Sequence, residues 1–267
     1  MNYREAGAGD PVIFIHGFPF NNTLWQPQLA NTPEGWRFIA PDLRGFGETP
    51  DDGSKLLAIE TFADDVIALM DELGLDQAVL VGLSMGGYVV LDIIKRYPDR
   101  VRALVLTATR ANADNAEARA NRHSLAAASR RSGTRAVIEA MLPHLISAHS
   151  RLKMPELIKT VHGMMESTSP ETMARALEEM AERKDYVADL ANINVSTIII
   201  RGDQDDIIPA AEMETIARSV RGARHEVITL AGHLPNLENP ELFNKLLGSF
   251  LSYLPPALKL GDFSLSF

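Results

Sequence analysis

The chain has no cysteine among its 267 residues, only two tryptophans, and nine more acidic than basic residues. Without cysteine it can form neither a disulfide framework nor a zinc–thiolate site, and it offers no thiolate nucleophile. The net charge of -9 argues against nucleic acid or an anionic membrane as a partner. No apolar run is long enough to span a membrane, and the opening MNYRE does not begin a signal peptide. We therefore expect a cytoplasmic protein that acts on a small molecule; its oligomeric state is left open.

The remaining composition is that of a globular protein with a large core. Hydrophobic residues make up 46% of the chain and charged residues 23%, which suits one large α/β domain. Short β-branched runs alternate with amphipathic helical stripes, and this alternation predicts a mostly parallel central sheet flanked by helices. The predicted strands are 12–15, 37–40, 77–81, 101–106, 197–200 and 227–230.

The pattern changes between about residues 111 and 189, where β-branched runs disappear and Ala, Arg, Glu and Met dominate. This stretch predicts a helical cap inserted into the core, so that residues 1–110 and 190–267 form the core and 111–189 the cap. Four helices are expected in the cap, at 115–131, 134–148, 155–166 and 170–184. The four cap histidines have no metal-ligand spacing supported by carboxylates, so we expect no metal site there.

The segment around Ser84 provides a candidate nucleophile. The sequence Gly82-Leu83-Ser84-Met85-Gly86 follows a buried strand and precedes a helical stripe, so Ser84 sits at a sharp strand-to-helix corner. Glycines on both sides allow such a turn without Cβ clashes. The pattern G-x-S-x-G in this context is typical of a nucleophile elbow, although a glycine-rich connection alone would give the same letters.

An elbow of this type requires an acid and then a histidine farther along the chain. His233 lies on a glycine-flanked loop after the last predicted strand. Three aspartates, Asp203, Asp205 and Asp206, crowd the turn after the preceding strand. A metal site is conceivable at that turn, but capping of a helix that starts near Pro209 is the commoner reason for such a cluster.

His16 is a second histidine next to a predicted functional loop. It directly follows the predicted strand 12–15 and is itself followed by Gly17-Phe18-Pro19. Because it precedes a turn glycine and lies upstream of Ser84, we expect a structural histidine whose ring is bonded to nearby backbone.

Together these motifs resemble the α/β-hydrolase superfamily over nearly the whole chain. The order is His16-Gly17, then Gly82 to Gly86, then Gly202 to Pro209 as G-x-x-D-x-x-x-P, then Gly232-His233. The resemblance selects Asp205 as the acid of a Ser84–His233–Asp205 triad. It also implies that the backbone N–H groups of Phe18 and Met85 form the oxyanion hole.

Within the superfamily, the chain looks most like small microbial carboxylesterases and the related 3-oxoadipate enol-lactonases. Relatives with an aspartate nucleophile, such as haloalkane dehalogenases and epoxide hydrolases, are excluded because position 84 is serine. The resemblance implies a carboxylesterase that hydrolyses short to medium acyl esters through an acyl-enzyme and needs no metal or organic cofactor. An enol-lactonase or other lactonase is the alternative, and hydroxynitrile lyases and perhydrolases share the triad. A ligand-sensing protein on a hydrolase scaffold is a different class of function that remains open.

The two ends of the chain depart from the family pattern. The strand 12–15 begins so early that it leaves no room for the usual antiparallel hairpin. At the other end, residues 257–260 and 263–267 alternate apolar and polar residues around Gly261-Asp262, as in two strands joined by a tight turn. We therefore predict a circular permutation, in which 257–260 form an edge strand and 263–267 continue the line of residues 2–5. An unrelated disordered extension, or a segment exchanged between subunits, would leave the same pattern.

Overall fold

The computed structural model describes residues 1–51, 53 and 56–255, and within them seven strands form one twisted sheet. The order is β1-β3-β2-β4-β5-β6-β7, with β1 antiparallel to β3 and every other neighbouring pair parallel. The predicted mostly parallel sheet is confirmed. The strands are β1 Tyr3–Gly7, β2 Asp10–Ile15, β3 Trp36–Pro41, β4 Ala78–Leu83, β5 Val101–Thr107, β6 Ser196–Gly202 and β7 Arg224–Ile228.

Helices cover both faces of this sheet. On one face, Ile13 and Leu80 pack with apolar side chains of α2, α3 and α9; on the other, Phe14 and Val81 pack with those of α11. Neighbouring residues of one strand reach opposite faces because side chains alternate along a strand. The core helices are α1 Gln26–Leu29, α2 Ile59–Glu72, α3 Met85–Arg96, α9 Ala210–Ser219, α10 Pro235–Glu238 and α11 Pro240–Ser252.

Five α-helices lie between β5 and β6, and we call the segment 108–195 that carries them the insertion. Four were expected; the predicted helix 134–148 stops at Leu145, where Ile146 becomes extended. The hydroxyl of Ser147 then accepts a hydrogen bond from the Ser150 N–H at 3.0 Å and caps a separate short helix. The insertion helices are α4 Ala116–Ser132, α5 Thr134–Leu145, α6 Ala148–Lys153, α7 Pro155–Glu166 and α8 Pro170–Ala181.

The last strand differs from its predicted position. The apolar run 227–230 predicts a strand there, whereas β7 spans Arg224–Ile228. Leu230 has a φ of 61° and therefore cannot continue an extended strand. β7 pairs only with β6 among the described strands. Its first three residues, Arg224, His225 and Glu226, are polar and half-buried, so no apolar run marks where the strand begins.

The N-terminal segment before β2 also differs in part from what the sequence predicts. Residues 2–5 are predicted to lie on a strand, and β1 Tyr3–Gly7 bears this out. One antiparallel strand thus does fit before β2, because Gly7 and Gly9, with φ of 75° and 126°, make a tight connection. The predicted strands 257–260 and 263–267, and with them the permutation, lie outside the described residues.

Candidate active site

The residues singled out by the motifs follow four parallel strands. Phe18 comes after β2, Ser84 after β4, Asp205 after β6 and His233 after β7. Because parallel strands point the same way, their carboxyl ends and the loops that follow them lie at one edge of the sheet. The topology therefore gathers at one edge four loops that are separated by up to 215 residues in the chain (233 − 18).

Ser84 occupies a strained backbone conformation at this edge, with φ 54° and ψ −114°. A Cβ on Gly82 would lie 2.4 Å from the Gly86 oxygen, and a Cβ on Gly86 would lie 2.2 Å from the Ile15 oxygen. Only glycine fits at these two positions, because backbone meets backbone directly. Such strain in a non-glycine residue persists only where the surroundings impose it, and it is concentrated at functional sites.

Asp205 and His233 form a buried pair. The His233 Nδ1 lies 3.1 and 3.0 Å from the two carboxylate oxygens of Asp205, and each side chain is only 3% exposed. Burial by itself would raise the pKa of Asp205, but His233 and the N–H groups of Ile207 and Ile208 outweigh it and lower that pKa. A carboxylate held ionised in this way fixes a proton on Nδ1, so that Nε2 is the free acceptor.

The other two aspartates of the turn do not meet His233. Asp203 and Asp206 are exposed, and Asp206 instead lies 4.0 Å from His144 of α5. The turn was expected to cap α9, but Pro209 holds the N-cap position without a side-chain bond. Asp205 bonds the N–H groups that precede the helix and so shapes the loop around His233 rather than the helix end.

The Ser84 hydroxyl and the His233 Nε2 have no hydrogen-bond partner among the described residues. Ser84 as a whole residue is partly exposed. Hydrogen bonds between a nucleophile and its base are often long in unliganded enzymes and tighten when substrate binds.

The backbone N–H groups of Phe18 and Met85 likewise lack an acceptor within residues 1–51, 53 and 56–255. A Cβ on Gly17 would lie 3.3 Å from the Ser84 Cβ, so the loop that carries Phe18 runs directly against the elbow. Met85 is the first residue of α3, where unpaired N–H groups and the helix dipole favour negative charge. Their role as an oxyanion hole stays a prediction.

Comparison with known proteins identifies the family. The model of the α/β-hydrolase fold family matches residues 10–240. The chain belongs to this family. Among curated proteins, it is 27% identical over 248 residues to 3-oxoadipate enol-lactonase 2 of Acinetobacter baylyi, with 91% of this chain and 90% of the relative covered.

Solved structures of this hydrolase family superpose closely. A thermophilic esterase from Thermogutta terrifontis, solved with malate bound, is 38% identical, with a TM-score of 0.91 and coverage of 95% of this chain and 93% of the other. The enol-lactonase from Burkholderia xenovorans LB400 is 26% identical with a TM-score of 0.86, over 94% and 96% of the two chains. The similarity thus spans almost the whole length of each protein.

His16 lies beside the elbow of this hydrolase as a buried structural residue, as expected. Its Nδ1 donates to the Gly17 oxygen at 2.9 Å and its Nε2 accepts the Leu43 N–H at 3.0 Å. Burial lowers the pKa of His16 to about 4, with the bond to Gly17 acting in the opposite direction. The ring is therefore neutral at pH 7 and joins the loops that follow β2 and β3.

Sequence reasoning missed two residues that touch the hydrolase site. The Thr109 hydroxyl donates to the Ser84 carbonyl at 2.8 Å, and a Cβ on Gly87 would lie 2.3 Å from that hydroxyl. Glu238, only 8% exposed, binds the loop that carries His233. The only signal in the sequence is that Glu238 is the single acidic residue between positions 231 and 240, and this does not indicate a partner.

The described part of the chain offers no alternative metal centre. Within it, no group of three or more His, Cys, Asp or Glu side chains could hold a metal ion. His123, His144 and His162 are well exposed, each beside a carboxylate, so they are surface residues of the insertion. No helix in residues 1–51, 53 and 56–255 is long and apolar enough to cross a membrane.

Proposed function

We propose that this hydrolase is a serine carboxylesterase that works through an acyl-enzyme. The observation that carries the proposal is the buried Asp205–His233 pair, which leaves Nε2 as acceptor on the same sheet edge as the strained Ser84. The 38% identity to an esterase over 95% of the chain supports the same activity.

In the proposed reaction, Ser84 Oγ attacks the ester carbonyl carbon while His233 Nε2 takes the hydroxyl proton. Asp205 holds the imidazole in the correct tautomer and stabilises the imidazolium. The N–H groups of Phe18 and Met85 donate to the developing oxyanion. His233 then gives its proton to the leaving alcohol, and in the second half-reaction it activates the water that releases the acid. The residues supply every proton transfer, so the sequence of steps needs no metal or organic cofactor.

We further propose that residues 111–189 act as a cap over this edge and restrict the acyl chain to short or medium length. Hydrogen bonds attach the insertion to two of the site loops: the His233 N–H donates to the Leu145 oxygen at 3.2 Å, and the Thr168 hydroxyl donates to the Pro19 oxygen at 2.9 Å. Because the insertion is bonded to both loops, we expect it to limit the space above Ser84 that a long acyl chain would need.

A lactonase is the second candidate, because a cyclic ester requires the same attack and two relatives of 26 to 27% identity are enol-lactonases. The two activities differ only in the pocket that surrounds the reacting carbonyl. The ratio of kcat/KM for p-nitrophenyl acetate to that for a γ-lactone distinguishes them, and a value well below one would favour the lactonase.

The proposal is tested with p-nitrophenyl esters from C2 to C12, assayed beside γ-lactones, with wild-type protein and Ser84→Ala. We expect the highest kcat/KM at a short or medium chain and a loss of several orders of magnitude in Ser84→Ala. Unchanged hydrolysis by Ser84→Ala would exclude the mechanism, and a maximum at C12 would exclude the limit set by the cap. Absence of turnover on every ester and lactone would instead favour a ligand-sensing role.

A further inference from the structure

The loop that carries His233 is bound to a buried carboxylate on the short helix that follows it. Glu238 Oε1 accepts the Gly232 N–H at 2.8 Å and the Leu234 N–H at 3.3 Å, so it holds both neighbours of His233. Glu238 is 8% exposed. Two donors that flank one residue and converge on one oxygen leave the backbone of that residue little freedom to move.

The second oxygen of the same carboxylate binds the insertion. Glu238 Oε2 accepts the Ser147 N–H at 2.9 Å. The Ser147 hydroxyl donates to the Leu230 oxygen at 2.8 Å, and the His233 N–H donates to the Leu145 oxygen. The segment between α5 and α6 is thereby bound to the histidine loop at three points, one of them through Glu238.

Glu238 is itself fixed to the core. The Asn236 side chain, on the same helix turn, donates to the Leu24 backbone oxygen at 2.9 Å, and the Gln28 side chain donates to the Asn236 backbone oxygen at 3.1 Å. All three residues are buried, and Leu24 and Gln28 belong to the first segment after β2. The carboxylate therefore has a rigid base from which it holds the two loops.

Gly232, Ser147 and Glu238 are packed so closely that there is no room for an added side-chain atom. A Cβ on Gly232 would lie 2.7 Å from the Ser147 nitrogen and 3.1 Å from Glu238 Oε1. All three donors to the carboxylate are backbone N–H groups, and an ionised carboxylate is an acceptor only. Replacing one oxygen by an NH₂ group would set donor against donor and leave a buried N–H without a partner.

We propose that Glu238 is a positioning residue for His233: it sets the imidazole against Asp205 and Ser84, and it makes that setting depend on the attachment of the insertion at Ser147. The proposal deepens the proposed function and rests on it for its kinetic consequence. We call the Glu238 carboxylate with its three donors, the N–H groups of Ser147, Gly232 and Leu234, the clamp. That the clamp holds the imidazole in place does not depend on which ester is hydrolysed.

The kinetic test compares Glu238→Gln with Glu241→Gln, a matched change at an exposed glutamate three residues farther along. A displaced base lowers the rate of the bond-making steps, so Glu238→Gln should reduce kcat by roughly 10- to 100-fold with KM changed by less than about two-fold. Glu241→Gln should retain the wild-type kcat. Assays are run well below the melting temperature of each variant; a lowered melting temperature with wild-type kcat would show a merely structural role and overturn the proposal.

A spectroscopic test separates this proposal from the proposed function. The Nδ1 proton of a histidine bonded to a buried carboxylate resonates at low field in ¹H NMR, and its loss in His233→Gln assigns it. We expect the signal in wild type and Ser84→Ala, and its broadening or displacement in Glu238→Gln. An unchanged signal in Glu238→Gln would overturn the clamp, whatever the assays with Ser84→Ala show about the esterase mechanism.

Should Glu238→Gln fail to fold, amide hydrogen exchange in the wild-type protein tests the clamp directly. The N–H groups of Ser147, Gly232 and Leu234 lie in loops, where exchange is ordinarily fast. We expect all three to be protected to a similar degree, because one carboxylate binds them. Exchange of these amides at the rate of free loop residues would contradict the proposal.

Discussion

The carboxylates at the site edge and those on the outside of the insertion all accept hydrogen bonds, but they do so in different surroundings and from different partners. At the edge, Asp205 and Glu238 are buried and each accepts bonds from groups on more than one segment. On the outside, Glu171 and Glu178 pair with Arg130, and their side chains are 60% and 36% exposed. Hydrogen bonds to a buried charge fix geometry and are costly to break, whereas exposed ion pairs are screened. A count of ion pairs alone would leave out Glu238, whose donors are backbone N–H groups.

The largest difference is expected within the acidic turn itself. Asp205→Asn should lower kcat by roughly 10⁴-fold, because an amide at this position no longer holds the imidazole in the required tautomer. Asp203→Asn, at an exposed position two residues earlier, should leave kcat unchanged. Steady-state kinetics on p-nitrophenyl acetate measure both. The opposite ranking of these two variants would show that the buried pair is not the one used.

The next effect concerns a buried ion pair inside the insertion. Arg183 and Asp114 are each 1% exposed and 2.8 Å apart, and the guanidinium also lies 4.4 Å from the centre of the Tyr88 ring. Arg183→Met should reduce the free energy of unfolding by roughly 3 kcal/mol, because the carboxylate is left buried with one cation fewer. Urea denaturation gives the value.

Coupling provides the control for that prediction. The double variant Asp114→Asn with Arg183→Met should lose less than the sum of the two single variants, since the pair acts as a unit. Strict additivity would mean that the two side chains contribute separately, and the contrast between buried and exposed pairs would then fail for this site.

His16 should make the free energy of unfolding depend on pH, by an amount comparable to the loss expected for Arg183→Met. Its pKa is about 4 in the folded protein, against an ordinary value of 6.5 for histidine. Between these values the unfolded chain binds more protons, so stability is complete above about pH 6.5 and is lost as the pH falls toward 4. The loss is on the order of 3 kcal/mol. Asp205, with a lowered pKa, adds a further loss only below its own unfolded value of 3.8.

Urea denaturation between pH 7 and pH 4 tests this contribution. His16→Gln should show a much smaller loss over this range than wild type, and His162→Gln, at an exposed position, should show the wild-type loss. Parallel curves for wild type and His16→Gln would mean that the buried histidine does not titrate on unfolding.

The smallest effect is expected on the outside of the insertion. Arg130 bonds both Glu171 and Glu178, with 38% of its own side chain exposed. Arg130→Gln should change the free energy of unfolding by less than about 1 kcal/mol, and added salt should remove even that. A loss as large as that of Arg183→Met would erase the distinction between the two regions.

Sequence motifs predict those candidate site residues that lie in a recognisable loop after a strand. Ser84, Asp205 and His233 each follow a strand and stand near glycine, and parallel strands bring such loops to one edge without further information. The choice of Asp205 among three aspartates needs the family spacing and stays a prediction; in the structure, Asp205 is the one of the three that is buried beside His233. Most strand positions follow from apolar runs in the same way.

The parts that could not be predicted depend on contacts between distant segments. Glu238 and Ser147 are 91 residues apart and Thr109 and Ser84 are 25 apart, and single polar residues carry no periodicity that would indicate these partners. The break between α5 and α6 escapes prediction for the same reason, because the contact of Ser147 with Glu238 favours the break over a longer helix. Strand β7 was misplaced since its edge position leaves it without an apolar pattern.

The central claim, that Ser84 is the nucleophile, is tested most directly by covalent labelling. Incubation with the organophosphate diethyl p-nitrophenyl phosphate, followed by digestion and mass spectrometry, should place one diethylphosphoryl group on the peptide that contains Ser84, with matching loss of esterase activity. Ser84→Ala should remain unlabelled, and His233→Gln should react far more slowly because its serine is not deprotonated. Complete loss of activity with the label on another residue, or esterase activity that persists after Ser84 is fully labelled, would contradict the account.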